Sequence, residues 1–270
     1  MTSSTPHGAR ARARIEVTAA IKDEARRQLA AEGAVKLSLR AVARELGMVS
    51  SAVYRYFPSR DELLTALIID AYDSLGAAAE AAHDEVADAG PVQRWMKVCE
   101  AVRGWALAHP HEYALIYGSP VPGYTAPRTT VPPAARVGHL LIAIVRDAHQ
   151  GLGLAKPRLA EDVRPEAVRM AADLAPDLPP EAVVTLVAAW AQLYGLVGFE
   201  VFGQFTRIVE EREPFFRHAV GQLAHTVGLV YPQEGRAAQS RGRQSSGNGT
   251  GSGTGGRGRG PGGRGRGPGA

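Results

Sequence analysis

The chain has one cysteine, Cys99, and one asparagine, Asn248, in 270 residues. A single thiol cannot close an internal disulfide, so no covalent staple holds the fold, and a reducing cytoplasm is the expected setting. No run of about eighteen apolar residues occurs, so no membrane span is expected. The opening stretch MTSSTPHGARARAR is basic but no apolar stretch follows it, so it does not read as a secretory signal. Alternation at a period of two is missing throughout, which argues against strands. Groupings that carry chemistry are scarce as well. No Ser/His/Asp or paired-carboxylate arrangement stands out. His109 and His111 in HPH lack a third metal ligand at useful spacing, and GLGLAK (151–156) lacks the Gly-Lys-Ser/Thr ending of a phosphate loop. Neither catalysis nor a metal or cofactor is expected.

What is present is apolar mass and unevenly placed charge. Hydrophobic residues make up 45%, enough for a sizeable core. Residues 1–60 hold eleven Lys/Arg against five acids, a net +6, and residues 235–270 hold seven Arg and no acid. With +4 on the whole chain, the middle, 61–234, is left at −9. A basic head on an acidic body points to a polyanion at the head.

The periodicity is helical nearly everywhere, so the fold class is all-α. Ile15, Ala19, Leu29 and their neighbours recur at three- and four-residue steps over about 14–33, ending at Gly33. Ser38 is placed to cap LRAVAREL, and Gly47 ends it. After Gly47-Met48-Val49, Ser50 is a candidate cap for SSAVYRYF. Pro58 stops that helix, and Ser59 caps the next, DELLTALIIDAYDSLG, with Asp61 and Glu62 suited to its positive end. Further helices are expected over about 91–108, 110–118, 134–150, 165–174, 180–210 and 213–230, with a Pro-rich loop at 119–133. From Gly235 the chain is Gly, Arg, Ser and Pro, which cannot bury a core and reads as disordered. The expected organisation is a flexible basic arm at 1–13, a helix-turn-helix domain at 14–60, a larger helical domain at 61–234 that opens with a connecting helix at 61–88, and the tail at 235–270.

Helix, tight glycine turn and short helix form the helix-turn-helix pattern. At 100° per residue, Val53 and Phe57 fall within about 40° of each other and share the buried face. Ser51, Ala52 and Arg55 fall opposite, free to approach base edges. Tyr54 and Tyr56 flank the core on either side. They either cover its margins or reach the phosphate walls of a groove.

Residues 38–67, SLRAVARELGMVSSAVYRYFPSRDELLTAL, closely resemble the DNA-binding signature of the TetR family of bacterial transcriptional regulators. The Ala-Arg-Glu-x-Gly turn, the Tyr-x-Tyr-Phe recognition helix and the Pro-Ser-Arg step into a Glu-Leu-Leu helix all stand in order. The resemblance implies that the three-helix head binds operator DNA. Arg40 would reach bases or phosphates, and Ser50, Ser51 and Ala52 would form the leading turn of the recognition helix. Tyr54 and Tyr56 would contact phosphates, Tyr54 also bases, and Arg60 would clamp a phosphate at the start of the next helix. Ala52 and Val53 replace residues common in the family. Arg10, Arg12 and Arg14 would either enter the minor groove or belong to a solvated tail.

The acidic body resembles the family's ligand-binding and dimerisation domain. VRGWALAHPHEYALIYGSPVPGY (102–124) looks like segments of one branch, and AAWAQLYGL (188–196) is similar to its Trp-x-x-Leu-His-Gly signature, with Tyr194 where His is usual. The resemblance implies a homodimer through a four-helix bundle of the last two helices; Gly195, Gly198 and Gly203, disfavoured inside a helix, either allow close approach there or serve internal packing. It also implies a cavity for a small-molecule effector. Trp105, Tyr113, Tyr117, Trp190, Tyr194 and Phe199 either line that cavity or pack as core. The expected function is a cytoplasmic, homodimeric repressor on a palindromic double-stranded DNA operator. An activator, or an all-α small-molecule-binding protein without an operator, is the alternative. The RGRG tail either adds nucleic-acid affinity or has no role.

Overall fold

The computed structural model describes residues 6–155 and 158–229. Among them lie ten α-helices and no strand: α1 Pro6–Glu32, α2 Leu39–Glu45, α3 Ser50–Val53, α4 Arg60–Asp84, α5 Pro91–Ala108, α6 Pro110–Tyr117, α7 Val131–Gln150, α8 Arg164–Leu174, α9 Pro180–Val201 and α10 Arg212–Val227. Short 3-10 turns occupy Ala34–Lys36 and Arg128–Thr130. The fold is all-α, as the periodicity implies. The Gly/Arg-rich stretch 235–270 lies outside the described residues.

Particular side chains set the helix ends. The Ser38 and Ser59 hydroxyls accept from the backbone N–H groups of Ala41 and Glu62, which satisfies donors that the first turn leaves unpaired. Five helices, α5 to α9, carry proline in their first turn, where a missing N–H costs nothing. Gly47 closes α2 at φ 63°. Its N–H bonds to Arg44 O at 3.1 Å, and the Met48 N–H bonds to Ala43 O at 2.8 Å. That paired closure needs a left-handed residue, which glycine adopts without strain.

The structure departs from the sequence reading in four places. Helix α1 starts at Pro6, so residues 6–13 are helical rather than a flexible arm. Alternating Ala and Arg are good helix formers and nothing after Gly8 interrupts them. The recognition helix is only Ser50–Val53, with Val49 rather than Ser50 at its cap. It continues as a hydrogen-bonded turn, Tyr56 N–H to Val53 O at 2.9 Å and Phe57 N–H to Val53 O at 3.1 Å. Helix α9 ends at Val201, well before residue 210, because Gly203 (φ 78°) repeats the closure seen at Gly47 and therefore lies outside the helix. The boundary at residue 60 divides a single core. Leu63, Leu64 and Leu67 of α4 pack with Ile21, Leu29, Val42, Val53 and Phe57 of the head.

One turn further along α4, Ala71, Leu75 and Ala79 belong to the second, larger core, with α5, α7, α9 and α10. A helix of this length is about 37 Å long. The head is also tied to the body by charge. Lys22 and Arg26 of α1 reach Asp70 of α4 at 2.8 and 2.7 Å, and Arg26 also reaches Glu112 of α6 at 3.0 Å. Within the body, the buried Trp95 ring N–H donates to Val220 O at 3.1 Å, joining α5 to α10. By length and composition α9 is apolar enough to cross a membrane. Here it is a core helix, packed against α5, α8 and α10.

A buried ion pair holds α5 to α9. The Arg103 guanidinium donates from Nε and Nη2 to the two carboxylate oxygens of Glu200, both at 2.7 Å, and lies 5.4 Å from the Phe216 ring. These bonds raise the Arg103 pKa against the opposing effect of burial. Removing one partner leaves the other charge buried and uncompensated. Glu200→Ala is therefore expected to cost about 3 kcal/mol, read from the midpoint of urea unfolding.

Candidate nucleic-acid interface and effector cavity

In the head, Val53 and Phe57 are buried against α1, α2 and α4, which turns the other side of the recognition helix outward. Ser50, Ser51, Tyr54 and Arg55 are exposed there, Ala52 is half-buried, and Arg40 is exposed on α2. Tyr56 is half-buried against the core, with the Arg14 guanidinium 5.4 Å above its ring. The sequence reading overlooked Val49, which is 71% exposed at the leading end of the recognition helix. Its position directly before Ser50 and Ser51, at the end of the glycine turn, was the available signal.

Arg60 is placed differently from the expectation of a free phosphate clamp. Its Nη2 donates to Ala34 O at 2.8 Å and to Val35 O at 3.4 Å, and its Nη1 meets Asp61 at 3.4 Å. Ala34 O also accepts from the Leu37 N–H at 3.3 Å, so the guanidinium adds a charged donor to the 3-10 turn after α1. Arg40 and Arg55 differ: neither has an ion pair or side-chain hydrogen bond among the described residues. In the body, Arg94, Arg103, Arg136 and Arg146 each sit on a carboxylate.

The six aromatics expected around a cavity do not share one. Trp105, Tyr113 and Tyr194 are buried core. The Trp105 ring N–H donates to Ser74 Oγ at 2.9 Å, and the Tyr113 hydroxyl donates to Tyr194 O at 2.8 Å. Tyr117 stacks on Tyr194 with ring centroids 4.1 Å apart. Burial, with neighbouring tyrosines adding to it, pushes the hydroxyls of Tyr113 and Tyr117 far above their usual range, and burial does the same for Tyr194. These rings pack on one another because the seam between α6 and α9 is too tight to leave space. Phe199 points elsewhere. It is 54% exposed and meets Phe205 edge-on at 5.6 Å, and Phe205 in turn meets Phe215 at 5.4 Å.

Trp190 lines a cleft of about 580 Å³ bounded by α4, α6, the 118–130 segment, α7 and α9, and the other five do not line it. Its other aromatics, Tyr72 and Tyr124, were not foreseen. Tyr72 follows Ile68 by one turn of α4, and Tyr124 stands in a Pro-rich loop, where an aromatic residue tends to pack back onto the body. The Tyr124 hydroxyl pairs with Thr65 Oγ1 at 2.9 Å. Leu115, Ser119, Pro120 and Val121 line this cleft and also a smaller cavity of about 220 Å³ against Leu29, Gly33, Ala34 and Val35 of the head.

A third hollow, about 540 Å³, runs along α9 and α10 past Gly195, Leu196, Phe199 and Phe215. A Cβ at Gly195 would meet nothing within 4 Å, so this position is open. Gly198 faces inward instead, with the Tyr113 hydroxyl 3.5 Å from where a Cβ would stand. Of the three glycines expected at a helix–helix interface, Gly195 alone lies on this open face of α9.

A three-helix head with an outward recognition helix, sharing one helix with an all-α body, defines a helix-turn-helix DNA-binding regulator. Residues 21–67 match the family model described as bacterial regulatory proteins, tetR family, and residues 95–223 match the tetracyclin repressor-like C-terminal domain. The HTH-type transcriptional regulators Rv1816 of Mycobacterium tuberculosis and Mb1846 of Mycobacterium bovis are each 42% identical over 207 residues, covering 73% of this chain and 86% of theirs. The crystal structure of regulatory protein SCO4313 superposes with a TM-score of 0.64 at 35% identity, covering 78% of this chain and 97% of that one. A TetR family regulator from Thermus thermophilus, at 19% identity and a TM-score of 0.51, shares the fold over 78% of this chain and 99% of its own. The chain belongs to the TetR family. It is a DNA-binding transcriptional regulator, not an enzyme.

Because Arg60 donates to carbonyls of the turn after α1, Arg60→Ala is expected to lower the stability of the head by about 2 kcal/mol, the worth of a charge-assisted hydrogen bond. Thermal unfolding followed by circular dichroism checks this. A phosphate clamp with no structural duty would leave the midpoint unchanged.

Proposed function

We propose that this regulator is a cytoplasmic homodimer that represses transcription from a palindromic operator and is released by a small molecule. The observation that carries the DNA reading is the pair of exposed arginines, Arg40 and Arg55, with no ion-pair partner among the described residues, on a head whose recognition helix turns Ser50, Ser51 and Ala52 outward. Small residues at the leading turn permit close approach to bases, and Val49 suits a thymine methyl. Arg55 reads base edges, Arg40 and the tyrosine hydroxyls of Tyr54 and Tyr56 meet the backbone, and Arg60 contributes by holding the head together. Two copies joined through the open α9–α10 face would present two recognition helices to the two halves of a palindrome.

The cleft beside Trp190 is the effector site in this reading. Its route to the head is short. The 115–121 segment is a wall of the cleft and also packs near the turn at Ala34–Lys36, which Arg60 holds. An effector that favours one position of this segment biases the spacing of the two heads, and only such a difference in affinity between states alters DNA binding. Arg26 adds a second tie, since it joins α1 to both Asp70 and Glu112.

Selection of bound genomic fragments supplies the operator for the test. In fluorescence anisotropy on that operator, Arg55→Ala is expected to weaken binding at least tenfold and relax specificity at the contacted base. Arg40→Ala is expected to weaken all sequences alike and to reduce the salt slope by about one. Wild-type affinity in both variants would refute the interface. For the dimer, Phe199→Lys places a charge on the apolar face and is expected to give monomers in sedimentation velocity, with loss of operator binding.

A further inference from the structure

The cleft adjoins a second hollow at Trp190. Ala134, Ala135 and Trp190 line it and also line a second cavity, about 250 Å³, between α7, α8 and α9. The far wall of this second cavity is hydrocarbon, from Leu141, Ile142, Leu174, Leu186 and Val187. Among the described residues, His139 is its one titratable lining residue, and no Asp, Glu, Lys or Arg lines either hollow. The polar groups gather at the other end, at Tyr72, Tyr124, Ser119 and Thr130.

Two features of the helices keep the apolar slot open. Gly138 lies in the middle of α7, on the slot, and a Cβ built there meets nothing within 4 Å. Glycine inside a helix is disfavoured relative to alanine, so the hollow is retained against local helix preference. Trp190 and Phe199 are nine residues apart on α9, which at 100° per residue places them on opposite sides of the helix. A second copy seated on the Phe199 face therefore leaves the slot free.

We propose that the effector is a neutral amphiphile, with a polar head among the tyrosines of the cleft and an unbranched hydrocarbon chain running past Trp190 into the α7–α8–α9 slot. This rests on reading the cleft as the effector site. A charged head would lose its hydration in the cleft and find no counter-charge among the described residues that line it, whereas a neutral polar head finds hydroxyl and carbonyl partners. The chain gains from leaving water in proportion to its length until the slot is full.

The test is calorimetric titration of the full-length protein with phenol, 4-ethylphenol, 4-butylphenol and 4-hexylphenol at neutral pH. Affinity is expected to rise about fourfold for each added methylene and then level off. Gly138→Phe fills the slot from α7, and Val187→Trp fills it from α9. Each is expected to abolish the dependence on chain length while binding phenol as the wild type does, with the helical circular dichroism spectrum retained. 4-Hexylbenzoate, which carries a charge, is expected to bind more weakly than 4-hexylphenol. Phenol binding with no gain from the chain, or a full gain retained in both folded variants, overturns the slot and leaves the cleft standing. Absence of binding by every member of the series, phenol included, overturns the cleft and the slot together.

Discussion

Helix α4 runs without a break from Arg60 to Asp84, so two hydrophobic cores share one stiff rod. Leu63, Leu64 and Leu67 complete the head, and Ala71, Leu75 and Ala79 enter the body one turn later. No flexible linker separates the units, and a tilt of α4 in the body is a displacement of the recognition helix. The ion pairs from Lys22 and Arg26 to Asp70 sit at the changeover between the two cores. They bind α1 to the rod where the head would otherwise be free to rock.

Charge is sorted by the same arrangement. In the body, the arginines at the helix seams are matched to carboxylates, as in Arg103 with Glu200 and Arg136 with Asp73 and Glu80. The field that these paired arginines project is small because a carboxylate neutralises each one locally. On the head, Arg40 and Arg55 have no such partner among the described residues, and their field reaches outward. Net charge alone would not separate these groups. Arg60, basic and in the head, belongs with the matched ones because the carbonyls of Ala34 and Val35 take its donors.

Much of the fold was legible because local signals are strong in this chain. Ser38, Ser59 and Gly47 act within four residues of themselves, and their roles follow from backbone hydrogen bonding alone. The buried pair Val53 and Phe57 followed from helical spacing. Errors arose where spacing leaves a choice. Gly203 fits a helix interior as well as a helix end, and only the hydrogen bonds of Gly203 and Gln204 distinguish the two. Residues 6–13 were read as an arm because they are polar, yet an exposed helix needs no apolar face when its residues favour helix.

The sequence by itself determined the all-α class, the helix-turn-helix and its outward residues, because these depend on short-range periodicity, caps and a motif contiguous in the chain. Tertiary structure decided the cavity. Tyr113, Tyr117, Tyr194, Trp190 and Phe199 look alike in sequence, but α6 and α9 pack three of them into a closed stack, leave Trp190 on the cleft and turn Phe199 to the opposite face. Whether an aromatic ring fills space or borders it depends on how closely two distant helices approach, and no pattern within either helix carries that distance.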